Sequence, residues 1–124
     1  MASAPNQIRV STQPHGDVRV IRVEGNVSTD AEESLGNAYD AICASGAQHI
    51  LLSFRERDYI DSAGIALIIH LAAEARERGQ ILRIAQPSRH FRRVFTDIIG
   101  LNEYVDIFGS EEEALRDFGP NASI

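Results

Sequence analysis

Between Gln48 and Leu115 the sequence repeats one alternation three times: a short apolar run, then a segment with helical spacing. QHILLSF (48–54) has the length and apolar density of a strand buried on both faces. IDSAGIALIIHLAAEARERG follows, predicting a helix from about 62 to 78, with Arg76 and Arg78 suited to its negative end and Gly79 as its stop. QILRIA (80–85) is the next strand, and Pro87 with Ser88 opens a helix, SRHFRRVFTDII, stopped by Gly100. YVDIF (104–108) is a further strand, and Ser110 with Glu113 caps a last helix, EEEALRDF. A chain patterned in this way is expected to form a largely parallel sheet joined by right-handed crossovers.

Two more strands and a helix precede this unit. Residues 7–13 and 17–24 alternate apolar and polar around PHGD, which predicts a hairpin. Thr29 and Glu32 then have capping-box spacing, Leu35, Ala38, Tyr39 and Ile42 recur at helical intervals, and Gly46 is a suitable stop. The order is ββαβαβαβα: an α/β fold with a mixed, mostly parallel sheet of about five strands and four helices. With 124 residues the chain reads as a single domain, 1–124, with an ordered core of about 8–118 and loose ends.

Several function classes are disfavoured. The formal net charge of −6 gives no general attraction for nucleic-acid backbones. No apolar run approaches the ~20 residues of a membrane span, and MASAPNQIRV lacks the pattern of a secretory signal. The lone Cys43 allows no internal disulfide, which fits a reducing, cytoplasmic setting. Neither phosphate-binding glycine loop is present, and His15, His49, His70 and His90 show no metal-ligand spacing with Cys43. No cofactor, metal or catalytic residue is expected. His70, within an apolar helix, reads as a histidine satisfied by the fold. The cluster Arg89, His90, Arg92, Arg93 reads first as a solvated helix face, and second as a site for an anion or an acidic partner.

The stretch YIDSAGIALII (59–69) carries the functional question. A serine nucleophile elbow needs glycine two residues before and two after the serine, but Ile60 occupies the first place and only Gly64 the second. Asp61 or Ser62 is expected to cap the helix, worth typically ~1 kcal/mol. The functional alternative is phosphorylation of Ser62. It would add roughly −1.5 to −2 charges at pH 7, at a helix end whose dipole tolerates them, beside an Asp that does not.

These residues resemble a known family. YIDSAGIALII is similar to the apolar-Asp-Ser-(Ser/Ala)-Gly-apolar motif of STAS-domain anti-sigma factor antagonists. PSRHFRRVFTDIIGLNEYVDIFGSEEEAL resembles that family's third helix, Gly-Leu link, last strand and final helix. The resemblance spans about residues 8–118 and implies a non-enzymatic, cytoplasmic regulator of the STAS fold. It implies that the unphosphorylated form binds an anti-sigma factor, a serine kinase of the histidine-kinase-like ATPase type, and so releases a sigma factor or other target. Phosphorylation of Ser62 would end that binding and a serine phosphatase would restore it. Carried over by position, Ser62 is the phosphoacceptor, Asp61 and Ala63 flank it, and Gly64 permits close approach by the partner.

The second partner-binding segment is GNVSTD, where Ser28 stands in place of the family's Asp and Asp30 is the nearest acid. Arg55, Glu56 and Arg57 make the loop before the motif more charged than is usual, implying altered partner choice. The expected state is monomeric. The alternatives are an accessory STAS subunit of a membrane transporter complex, in which Ser62 is structural, and a nucleotide-binding STAS module.

Overall fold

The computed structural model describes residues 8–27, 31–55, 58–99 and 105–117. Thr29, Gly100 and both chain ends, all named above, lie outside them. The elements follow the expected order: β1 (Arg9–His15), β2 (Val18–Glu24), α1 (Ala31–Ala44), β3 (His49–Ser53), α2 (Ser62–Glu77), β4 (Ile81–Ala85), α3 (Arg89–Arg93), β5 (Asp106–Phe108) and α4 (Glu111–Asp117). A π-helical stretch, Val94–Ile99, continues α3. The five strands form one sheet in the order β1-β2-β3-β4-β5, antiparallel at β1–β2 and parallel elsewhere.

The hairpin is longer than its sequence suggested. Pro14 and His15 belong to β1, paired with Arg19 and Val18, so Gly16 and Asp17 alone make the turn. Proline is tolerated there because β1 is an edge strand, with no further neighbour requiring its missing N–H.

Because the strand order rises steadily, crossovers of one hand place α1, α2 and α3 on the same face of the sheet. The core agrees. Leu35, Tyr39 and Ile42 of α1, Ile68 and Leu71 of α2, and Phe91 of α3 pack with Ile21, Val23, Ile50, Leu52 and Ile84. Alternate strand residues point the other way, so Val18, Val20, Leu51 and Ala85 meet Ala114 of α4. This explains why β3 is apolar throughout: both its faces are covered. Each large side chain so buried stabilises the fold by roughly 1.5–3 kcal/mol.

The helix ends follow local chemistry. Both α1 and α2 close with a glycine at positive φ, Gly46 at 84° and Gly79 at 72°. In α2 the Gly79 and Gln80 amides donate to the carbonyls of Arg76 and Ala75, satisfying groups that the helix leaves open. Ser88 Oγ accepts the Phe91 amide at 3.1 Å, and Ser110 Oγ accepts that of Glu113 at 3.2 Å. Those caps match the sequence reading.

On the α4 face Arg22 is half-buried and holds Glu111 through two bonds, Nε to Oε2 at 3.0 Å and Nη2 to Oε1 at 2.8 Å. Ser53, the buried polar residue of β3, donates to the same carboxylate at 2.6 Å. These hydrogen bonds and the Arg22 charge hold the Glu111 carboxyl below its ordinary range, against the opposing effect of burial. A seven-residue helix with little apolar surface is thereby pinned to the sheet.

Candidate functional site

The parallel strands end along one edge, and there β2 leads towards α1 and β3 leads into α2. In open α/β sheets such an edge is where functional groups gather. After β3 the chain turns at Arg55, whose guanidinium binds the Asp58 carboxylate through Nε at 2.7 Å and Nη2 at 3.2 Å. Asp58 also accepts the Gly25 amide at 2.8 Å. Next door, the Tyr59 amide donates to Asn26 Oδ1 at 2.8 Å. Val27 then bridges to Ile60 in parallel, with Val27 N bonded to Tyr59 O and Asp61 N to Val27 O. The segment after β2 and the segment before α2 are therefore stitched together as one rim.

Of the charged loop Arg55, Glu56, Arg57, the Arg55 guanidinium folds the loop on itself by gripping Asp58; Glu56 and Arg57 lie outside the described residues.

Asp61 is the residue that caps α2. Its backbone is extended (φ −88°, ψ −177°) and its Oδ1 accepts the Gly64 amide at 2.9 Å. Ser62 is consequently the first helical residue, exposed, and among the described residues its hydroxyl makes no hydrogen bond. Of the two capping candidates the acid took the work, since its carboxylate reaches the third amide ahead and gains from the positive helix end. The serine oxygen is left free.

Gly64 is buried, and the close approach it permits is internal. A Cβ at this position would lie 2.5 Å from the Val27 carbonyl oxygen and 2.9 Å from Ile60 Cγ2. This packing seats the start of α2 against the rim; a place for Gly64 in a partner surface stands as a proposal. Ala63 is exposed beside Ser62. Ser28 and Asp30 lie outside the described residues.

The sequence reading missed Tyr59, a large apolar side chain 57% exposed, two residues before the capping acid. A tyrosine inside a charged link carries no periodic signal, and only its proximity to the motif could have singled it out. His70, read as a histidine satisfied by the fold, stands exposed on the outer side of α2, with Nε2 3.3 Å from Glu74 Oε1.

His49 opens β3 whereas Ser62 follows its far end, a strand length of about 16 Å away. Among the described residues no cluster of three or more His, Cys, Asp or Glu side chains could hold a metal ion. No helix among them is long and apolar enough to cross a membrane. The Ser62 side chain is exposed at the edge of this rim.

Comparison with known proteins agrees with this fold. A family model described as "Mlab, STAS domain" matches residues 10–107. The fold is similar to that of an anti-sigma factor antagonist from Mycobacterium paratuberculosis, with a TM-score of 0.72 and 21% identity over 93% of this chain and 97% of that one. It is also similar to the Bacillus cell fate determinant SpoIIAA in its phosphorylated form, with a TM-score of 0.67 and 21% identity over 90% of this chain and 100% of that one. For the anti-sigma factor antagonist SpoIIAA in its unphosphorylated form the TM-score is 0.65 and the identity 20%, over 90% and 97% of the two chains.

Proposed function

Because the chain belongs to the STAS-domain family, we propose that it is an anti-sigma factor antagonist working by partner switching, with Ser62 as its phosphoacceptor. The observation that carries this reading is the division of labour at the start of α2. Asp61 holds the cap, so the exposed Ser62 hydroxyl can be modified without costing the helix its N-terminal hydrogen bond. That SpoIIAA has been solved in phosphorylated and unphosphorylated forms on a similar fold supports the same reading.

In the proposed reaction Ser62 Oγ attacks the γ-phosphorus of ATP held by the kinase. The bond from that phosphorus to the bridging oxygen breaks, ADP leaves, and the hydroxyl proton passes to solvent or to a base of the kinase. The chain supplies the acceptor and its placement, and no catalysis of its own. The new group carries roughly −1.5 to −2 charges. The positive end of α2 offsets part of that charge, while Asp61 repels it and any partner seated on Tyr59, Ser62 and Ala63 meets a hydrated dianion. The fold is retained and the interface is lost.

A second reading, an accessory subunit bound permanently to a transporter, is favoured by the outer face of α2. Ala63, Ala66 and Ala73 are all exposed there, leaving a smooth surface on which a helix could pack. One experiment separates the two. Each anti-sigma kinase of the source organism is incubated with the chain and ATP, and the product is weighed by mass spectrometry. The switching reading expects one added phosphate, absent in Ser62→Ala; no incorporation with any kinase, or incorporation that survives Ser62→Ala, contradicts it.

A further inference from the structure

The chain has no lysine, so its 12 basic Lys/Arg positions are all arginine. Arg57 lies outside the described residues. Of the other eleven, eight have an identifiable partner. Arg9 meets Glu24, Arg22 Glu111, Arg55 Asp58, Arg78 Glu74 and Arg116 Glu112. Arg19 reaches the Gly16 carbonyl, Arg83 lies over the Phe108 ring, and Arg76 is also engaged. The three that have none among the described residues, Arg89, Arg92 and Arg93, all lie on α3.

Their spacing of three and four puts them on one face of the helix, and all three are exposed. The opposite face is anchored. Phe91 and Phe95 are fully buried with ring centroids 4.2 Å apart, and Phe54 lies 5.3 Å from Phe91. The three guanidinium groups therefore project from a rigid element, in a protein whose net charge is −6. An arginine cluster with no partner among the described residues, where every other described arginine is engaged, is suited to bidentate binding of external carboxylates.

Its position is equally specific. β3 and β4 are adjacent and parallel, so α2 and α3 start from the same edge of the sheet and on the same face. Phe54, which leads from β3 into the rim, packs on α3 itself. A protein reaching Ser62 and Tyr59 approaches the same sheet edge from which the arginine-bearing helix starts.

We propose that Arg89, Arg92 and Arg93 form a second docking face, at the same sheet edge as Ser62, for a carboxylate-rich surface of the protein partner. This rests on the switching reading for the partner's identity, but its chemistry is testable alone. Nucleic acid is the weaker occupant, because the rest of the chain is acidic and would repel a long polyanion.

Two measurements test it. The full chain, 15N-labelled, is titrated at low ionic strength with a polyglutamate peptide of about ten residues as carboxylate probe. The expected amide shifts are confined to α3 and its cap. They disappear in Arg89→Glu/Arg92→Glu/Arg93→Glu and at about 0.5 M salt, where charges are screened within a few ångströms. No shifts, or shifts unchanged in the triple variant, overturn the proposal. Duplex DNA or phosphatidylserine vesicles that shift the same amides at lower concentration than the peptide overturn the choice of occupant.

In the second measurement, a kinase that labels Ser62 should label the triple variant at least about tenfold more slowly at low salt, the gap closing as salt rises. Equal rates overturn the docking face and leave the Ser62 assignment standing. A wild-type chain that no kinase labels overturns that assignment, while the peptide titration still decides the docking face. All three positions being exposed, unchanged thermal melting of the variant separates lost docking from lost folding.

Discussion

Gly64 stands so close to Val27 that a single added carbon would come within 2.5 Å of the Val27 carbonyl oxygen. That contact joins the first turn of α2 to the segment following β2. The same carbonyl accepts the Asp61 amide at 3.0 Å, so the backbone before α2 has little room to retreat. Gly64→Ala is expected to destabilise the chain by about 1–3 kcal/mol, as overpacking of a rigid site does. Urea unfolding measures it; a loss below about 0.5 kcal/mol would show that the rim yields freely.

The cap and the charge of Asp61 can be separated. Asp61→Ala should cost about 1 kcal/mol through loss of the bond to the Gly64 amide, whereas Asp61→Asn, a capping residue of equal rank, should cost much less. If the acid also shapes recognition, Asp61→Asn alters the rate of Ser62 phosphorylation while leaving the melting temperature nearly unchanged. Parallel changes in rate and melting in both variants would reduce Asp61 to a structural cap.

Asp58 joins the two halves of the rim. Asp58→Ala releases Arg55 and leaves the Gly25 amide without its acceptor, while Arg55→Ala removes only the first of these interactions. The melting temperature should therefore fall further for Asp58→Ala than for Arg55→Ala. Hydrogen exchange should accelerate at Gly25, Val27 and Tyr59 in the former. Identical exchange in the two variants would rule out the Asp58–Gly25 bond as the fastening.

The Arg22–Glu111–Ser53 cluster gives stability a defined dependence on pH. The folded pKa of Glu111 is lowered, chiefly by the hydrogen bond from Arg22. Its contribution is therefore present above the unfolded value of about 4.3 and is lost as pH falls through the lower folded one. Glu111→Gln should cost about 1 kcal/mol at pH 7, allowing for solvent screening of the half-exposed Arg22. The difference from wild type should vanish at low pH. Equal costs at pH 7 and pH 3, measured by denaturant unfolding, would contradict this assignment.

The fold was legible because its determinants are local and periodic. Strand apolarity, helical spacing, Ser88, Ser110 and the glycines at 46 and 79 each act within a few residues of themselves. The motif at Ser62 was legible for the same reason, although which of two adjacent residues caps the helix depended on side-chain reach. Legibility ended where residues distant in sequence meet. Asp58 and Gly25 are 33 residues apart, and Arg22 and Glu111 are 89 apart. Nothing in the sequence around Gly64 announces its contact with Val27. The arginines of α3 looked like any charged face, and their distinction lies in what the other arginines are doing. Ser28 and Asp30, expected to join the partner surface, lie outside the described residues and stand as sequence proposals.

The central claim is that charge at Ser62 switches binding without disturbing the fold. Its most direct test is calorimetric titration of one kinase with the unmodified chain, the Ser62-phosphorylated chain and Ser62→Glu, alongside their thermal melts. The account predicts that the melts agree closely and that the phosphorylated chain binds at least about tenfold more weakly, with Ser62→Glu weakened in the same direction. Equal affinity of the phosphorylated and unmodified chains for the kinase would contradict it, and would leave Ser62 as a surface residue of a permanent interface.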